Sequence, residues 1–210
     1  MHKLQRPTAP PCLARYSYKK HKWQDVSDTD KTAIRQSLYT MQQHRCAYCE
    51  KSLPEDKACH IEHFRQRSRH PQGTFTWNNL YLSCNTTNTC GKHKDNQRYT
   101  PTDLIDPCAD DPDDYLRFYS DGNIRPRKNL SPSEQKRAEE TIRVFNLNGQ
   151  ALQATRKSEL QGWLQIAEEL LQLLQLQEIS EDDYQTELNQ YLQDISDKPF
   201  ITAIRHLFLP

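Results

Sequence analysis

This chain of 210 residues lacks any run of 18 apolar residues, and its start lacks the apolar middle that a secretion signal requires. These absences argue against a membrane span and against export, so we predict a cytoplasmic protein with no membrane partner. Apolar residues are also scarce overall, at 35% of the chain, and the mean hydropathy is −0.98. A composition this polar favours a fold that a bound metal or a partner helps to stabilise.

The chain has no net charge, yet its two halves differ strongly in sign. Residues 1–100 contain 17 Lys or Arg against 8 Asp or Glu, whereas residues 101–210 contain 11 against 20. A basic half favours a polyanion such as nucleic acid, and an acidic half favours a protein partner. Solvated charged surfaces without any partner would give the same counts, so charge alone does not choose between these interpretations.

Helical periodicity and capping patterns predict the positions of the helices. The predicted helices span about 30–43, 132–145 and 151–178, with a fourth after residue 180 and a short last one that starts at about 197–199. The first is expected to be capped by Asp28 or Thr29. Capping boxes begin at Ser131 and at Ser180, because each serine is followed three residues later by a carboxylate.

The remaining segments predict strands and loops. Residues 46–100 are short apolar stretches broken by Cys, Asn, Gly and Pro, which is typical of hairpins followed by a short helix. Alternation around Asp121-Gly122 predicts a second β-hairpin. We therefore predict an α+β fold with a basic arm at 1–28, a central domain at 29–128 and a helical domain at 129–210.

Seven cysteines, an odd number, in a chain expected in the cytoplasm argue against a disulfide framework. Cys46 and Cys49 have the CxxC spacing that lets two thiolates hold one tetrahedral zinc ion, and Cys84 and Cys90 form a second pair about 35 residues later. We predict a structural zinc site from these four, although His93 forms a CxxH pair with Cys90 and could replace Cys84. The cysteines without a spaced partner are interpreted as ordinary thiols: Cys12, Cys59 and Cys108.

The stretch HIEHF at residues 60–64 places Glu62 next to His63 in what is expected to be a short buried strand. Adjacent strand residues point to opposite faces, so the two are expected to have different tasks and not to clamp one metal together. A phosphodiester hydrolase needs such a division, because a carboxylate holds a divalent cation while a neutral imidazole takes a proton from water. A carboxylate paired with Arg65 or Arg67, beside a hydrogen-bonded core histidine, would give the same pattern.

Taken in order, these segments resemble the HNH endonucleases, whose active site is a ββα-metal fold. The strings CAYCEKSL, HIEHFRQRS, NNLYLSCN, CGKHKDN, LIDP and DGNI are similar to the retron-associated HNH family and to PtuB, the nuclease subunit of Septu anti-phage systems. The similarity covers roughly residues 40–150. It implies a zinc-stapled ββα-metal (HNH) core with structural Zn²⁺ and a catalytic Mg²⁺ or Mn²⁺.

The resemblance also implies a role for each matching residue. His63 is the general base, Glu62 is a ligand of the catalytic divalent ion, and Asn79 braces the loop that carries the base. Basic residues near them are expected to contact phosphates. These expected contacts are Arg65, Arg67, Arg69, Lys92 and Lys94.

One position departs from the family pattern. Typical members place the last metal ligand, a His or Asn, directly after the final cysteine, where this chain has Gly91. The nearest candidate for that ligand is His93, and Asn85 or Asn88 are the alternatives.

The resemblance further implies an ABC-type, PtuA-like ATPase subunit as the partner of the helical domain, and a retron reverse transcriptase with its noncoding RNA as further members of the assembly. Two other functions stay open. One is a zinc-stapled nucleic-acid-binding or adaptor protein without catalysis, although such a module needs no base beside a carboxylate. The other is the same nuclease directed at RNA such as tRNA instead of DNA, since no element that reads bases is evident.

Overall fold

A computed structural model describes residues 1–54 and 59–209 and shows an α+β fold. The elements in chain order are α1 Asp28–Gln42, β1 Cys59–His63, β2 Leu80–Cys84, α2 Cys90–Asp95, β3 Leu116–Phe118, β4 Ile124–Pro126, α3 Pro132–Val144, α4 Gln150–Gln175, α5 Glu181–Asp194 and α6 Ile201–Phe208. Across these two ranges, every helix is too short or too polar to cross a bilayer.

Local capping sets the helix starts close to the predicted positions. Ser27 caps α1, so the helix begins at Asp28, the residue at which the sequence had placed a candidate cap. Both predicted capping boxes are present, at Ser131 before α3 and at Ser180 before α5. The predicted second hairpin is the β3–β4 pair, whose turn contains Gly122 with φ of 82°, a value that favours glycine.

The centre of the molecule is an antiparallel pair of strands followed by a short helix. In the β1–β2 pair, Glu62 lies opposite Tyr81 and His63 lies opposite Leu80. Helix α2 packs on this pair. At the other side, the fully buried Gln42 at the end of α1 exchanges two side-chain hydrogen bonds, of 2.8 and 3.0 Å, with the backbone of Leu82 in β2. Both strands are therefore covered, which explains why nearly every residue in them is buried.

Residues 129–209 pack directly on the part of the chain that was predicted as the nuclease domain. The ring of Phe145, at the end of α3, stacks on Tyr48 with the ring centroids 4.0 Å apart. Thr202 in α6 donates from its amide and its hydroxyl to the buried carboxylate of Glu50, at 2.9 and 2.6 Å. One hydrophobic core thus runs through both parts, and the division into domains at 28 and 128 stays a prediction.

The predicted basic arm lies along the surface of the β1–β2 region. Arg6 donates to the carbonyls of Trp77 and Leu80 at 2.9 and 3.0 Å, and the indole of Trp77 donates to the Pro7 carbonyl at 2.8 Å. Further along the arm, Trp23 packs against His63 at the end of β1.

Candidate active site and metal centre

The four cysteines predicted to hold zinc come together in the fold. Their Sγ atoms all lie within 4.8 Å of one another, and all four side chains are buried. A zinc ion with Zn–S bonds of about 2.3 Å needs sulfur atoms about 3.8 Å apart, and the Cys46 and Cys84 sulfurs are already 4.0 Å apart. Hydrogen bonds from the other three thiols hold the pKa of Cys84 well below its usual value. His93 is not part of the cluster, so the alternative CxxH ligand set is not the one that the fold assembles.

The turn between Cys46 and Cys49 also reaches the centre of the site. Tyr48, which lies inside this turn, is fully buried and its hydroxyl donates to the Glu62 carboxylate. The backbone amide of Ala47 donates to Leu82 in β2 at 3.1 Å, which fixes the turn against the strands. The cysteine cluster therefore helps to position Glu62.

Glu62 is 1% exposed and its other oxygen, Oε1, lies 2.7 Å from the ammonium group of Lys94. Burial raises the pKa of Glu62, and Lys94 opposes that rise. Lys94 is itself completely buried and donates to the His63 carbonyl at 3.0 Å and to Asp95 Oδ1 at 2.7 Å. Burial alone would lower the pKa of Lys94, but the Glu62 charge, Tyr99 and Asp95 reverse the effect and raise it. Lys94 was predicted to contact phosphates, whereas in the fold it is a buried cation.

We expect Lys94→Met to lower the free energy of unfolding by about 3–5 kcal/mol, because it leaves the Glu62 carboxylate buried without its cation. Lys92→Met, at a partly exposed position two residues away, is the matched control and should change stability by less than about 0.5 kcal/mol. Urea unfolding of the two variants measures the difference. Equal stability of both would mean that Lys94 is not needed inside the protein.

His63 is 6% exposed, and its Nε2 atom lies 2.9 Å from the carbonyl oxygen of Thr74. Because a carbonyl only accepts hydrogen bonds, Nε2 must carry the proton, and the lone pair of the neutral ring is on Nδ1. Burial, assisted by the nearby positive charge of Arg67, lowers the pKa of His63 to about 3. The ring is therefore neutral at cellular pH, as a general base must be. Trp23 packs against it edge to face, with the ring centroids 4.6 Å apart.

Asn79 ties together the two ends of the loop that follows His63. Its Oδ1 accepts from the amide of Arg65 at 2.7 Å, and its Nδ2 donates to the carbonyls of Arg65 and Gly73 at 3.1 and 3.0 Å. Gly73 directly precedes Thr74, whose carbonyl holds the His63 ring. Asn79 therefore joins the loop to itself on both sides of the His63 contact, and the bracing role that the resemblance implied stays a prediction.

Glu62 and His63, although they lie on opposite sides of β1, both line one cavity of about 550 Å³. Most of the other residues that line this cavity were not predicted from the sequence. They include, from the arm, Tyr18, His21, Lys22, Trp23 and Gln24, and, from the strand region and α2, His60, Ile61 and Asp95. The basic and aromatic run YSYKKHKW at residues 16–23 was the signal that could have placed the arm at a nucleic-acid site.

His60 is the residue on the β1 face shared with Glu62, since it lies two positions earlier in the strand. Both of its ring nitrogens are shielded from solvent, and neither has a hydrogen-bond partner in residues 1–54 or 59–209. Burial lowers its pKa. Buried ring nitrogens without a hydrogen-bond partner are uncommon in protein interiors.

The residues predicted as the last ligand of the catalytic ion do not line the cavity of Glu62 and His63. The Nδ1 atom of His93 lies 2.9 Å from the Val144 carbonyl in α3, and His93 does not line the cavity. Asn85 and Asn88 line a different cavity, beside the cysteine cluster. Helix α2 thus turns the Nδ1 atom of His93 toward α3, and the loop before α2 stays near the cysteines. The predicted role of these three residues at the catalytic ion stays a prediction.

The remaining basic residues that were expected to contact phosphates are spread over the surface. Arg67 is exposed and lines the cavity with Glu62 and His63. Arg65 and Arg69 are also exposed but line two other depressions, and Lys92 is half-buried on α2. The arm residue Lys22 adds a second positive charge at the central cavity.

Comparison with known proteins gives three relatives, while no protein-family model matches the chain. The first is a protein of Vibrio cholerae serotype O1 biovar El Tor, which is named by inference as the HNH endonuclease of retron Vc95. It is 32% identical over 154 residues, which cover 68% of this chain and 73% of the relative. The Septu protein PtuB of Bacillus mycoides is 27% identical over 59% of this chain and 50% of its own length. The PtuB of Bacillus thuringiensis is 29% identical over 43% of this chain and 34% of its own length.

Proposed function

Because the chain belongs to the family of retron-associated HNH endonucleases, we propose that it is a metal-dependent nuclease that hydrolyses phosphodiesters of nucleic acid. Its setting would be a cytoplasmic anti-phage system of the retron or Septu type, which the names of the three relatives support. The β1–β2–α2 unit would be its ββα-metal core, and the four cysteines would hold a structural Zn²⁺.

The observation that carries this proposal is the pairing of two different groups at one cavity. His63 offers a neutral imidazole whose position is fixed by the Thr74 carbonyl, and Glu62 offers a carboxylate whose position is fixed by Tyr48 and Lys94. Both line the same cavity of about 550 Å³. A module that only binds nucleic acid has no need for this combination.

Each residue then has a definite part in the chemistry. His63 Nδ1 accepts the proton of the attacking water, while Nε2 stays bonded to Thr74. The donor set at the cavity fits a hard divalent cation such as Mg²⁺ or Mn²⁺, since the carboxylates of Glu62 and Asp95 both line it. When bound, the ion stabilises negative charge on the phosphate and on the leaving oxygen. Arg67 provides a cation that draws the substrate into the cavity.

The far end of the helical part is the place where we propose that an ATPase subunit docks. Residues 101–210 carry the excess of acidic groups. Within them, Leu171, Leu173 and Leu176 at the end of α4 are 40%, 37% and 58% exposed. Apolar side chains within an acidic surface are typical of a protein partner site. The family resemblance implies a PtuA-like ATPase there, and a reverse transcriptase with its noncoding RNA as further members.

A cleavage assay tests the proposed function. The protein, alone and with an ATPase encoded next to it, is incubated with DNA and with RNA in Mg²⁺ or Mn²⁺. We expect cleavage of DNA that stops when EDTA removes the divalent ion. Cleavage of RNA but not DNA would reassign the substrate, and tight binding of nucleic acid without any cleavage would identify the protein as an adaptor.

A further inference from the structure

Gly91, the second residue of α2, packs closely against the side chains of β1. A Cβ atom added to Gly91 would lie 2.2 Å from Glu62 Cγ and 3.1 Å from both His60 Cε1 and Ser83 Oγ. The side chains of His60 and Glu62 therefore converge on the same point, and only the absence of a side chain on Gly91 lets them do so. Any larger residue would push Glu62 aside.

The two ring nitrogens of His60 are polar atoms that could serve as metal ligands. The ring nitrogens of His60 are both without a hydrogen bond within the described part of the chain, although they are shielded from water. His60 lines the same cavity as Glu62 and Asp95, so an ion that exchanges one of its waters for an imidazole nitrogen would have all three residues around it. An imidazole nitrogen and a carboxylate on one strand face, two residues apart, suit a divalent transition ion that keeps several waters.

We propose that His60 is a ligand of the catalytic divalent cation and binds it together with Glu62. This inference rests on the proposed nuclease function. It adds His60 to His93, Asn85 and Asn88, the residues predicted from the sequence as candidates for the last ligand of the ion. The imidazole comes from β1, because α2 has only a glycine at the position nearest to the carboxylate.

The ion pair between Glu62 and Lys94 is compatible with this role. Lys94 also donates to Asp95 at 2.7 Å, to the His63 carbonyl at 3.0 Å and to the Tyr99 hydroxyl at 3.2 Å. The ammonium group therefore keeps three partners when the Glu62 carboxylate turns toward a metal ion. No charge is left buried and unpaired by that movement.

Binding of Mn²⁺ tests the proposal without any measurement of cleavage. Mn²⁺ accepts both oxygen and nitrogen ligands and is paramagnetic, so pulsed electron paramagnetic resonance detects a coordinating imidazole through its ¹⁴N coupling. We expect this coupling in the full-length, zinc-loaded protein and expect it to disappear in His60→Ala, with Mn²⁺ affinity at least about tenfold lower. His63→Ala and His93→Ala should keep the coupling, because neither ring is proposed to bind the ion.

Each outcome decides between specific alternatives. A wild-type protein that binds Mn²⁺ without ¹⁴N coupling, or a coupling that survives in His60→Ala, would overturn the role of His60 and leave the nuclease proposal intact. Because the wild-type spectrum alone is informative, a folding defect in the variant does not block the test, and His60→Gln provides a second variant of similar size. A protein that neither binds Mn²⁺ nor cuts nucleic acid would instead contradict the proposed function.

Discussion

Replacing His63 with alanine should reduce nucleic-acid cleavage by about 100-fold to 10,000-fold, the range in which a positioned general base contributes. The reason is the geometry at the ring, since Nε2 is committed to the Thr74 carbonyl and only Nδ1 can accept a proton. The low pKa of His63, about 3, keeps that nitrogen available at cellular pH. Single-turnover cleavage with saturating protein measures the chemical step directly.

Loss of activity in His63→Ala has to be separated from loss of structure. The truncation leaves the Thr74 carbonyl without its donor, which costs about 1–3 kcal/mol when such a group is buried. His63→Gln is the better second variant, because its amide can still donate to Thr74 but cannot act as a base. His93→Ala, whose ring contacts α3, should retain cleavage. Cleavage that persists in both His63 variants would show that another group is the base.

Replacing Cys46 with serine should have the largest effect on stability. Structural zinc contributes about 10–16 kcal/mol to the folding of small zinc domains, and whole domains are stable by only about 5–15 kcal/mol. Cys46 is fully buried among the other three sulfurs of the cluster. We therefore expect Cys46→Ser to be poorly soluble or to melt far below the wild type, and at a lower temperature than His63→Ala.

Elemental analysis and a matched cysteine variant complete this test. The wild-type protein should contain about one zinc ion per chain, which Cys46→Ser should lose. Cys108→Ser, at a partly buried cysteine outside the cluster, should keep the zinc and nearly all of the stability. Cleavage should fall with zinc content, because Tyr48 in the cysteine turn holds Glu62. A zinc-free protein in which Cys46→Ser folds normally would contradict the predicted metal centre.

Several features of this protein could be predicted from the sequence because their causes are local. The helices after Ser131 and Ser180 begin where a serine and a carboxylate three residues later satisfy the first backbone amides. The β3–β4 hairpin follows from the turn at Asp121-Gly122. The pairing of the CxxC turn with the second cysteine pair could be predicted because a zinc site imposes its own spacing.

Other features depend on which way a side chain faces, and short elements carry no periodic signal for that. Helix α2 has only six residues, too few for a pattern to show that Lys94 points to Glu62 in β1 while His93 points to the Val144 carbonyl in α3. The sequence contains His60 beside the Glu62-His63 pair but does not show that its nitrogens lack partners.

The sequence alone therefore determined the family, the capped helices and the two cysteine pairs, since these depend on residue types at fixed spacing. The choice of Cys84 over His93 in the cluster came from the fold. Only the tertiary structure decided which residues share the cavity. The arm residues around Trp23 meet His63 across about 40 positions of chain, and Gly91 approaches His60 and Glu62 only because α2 packs on β1. Contacts between elements distant in the chain depend on packing, and no local pattern of residues records them.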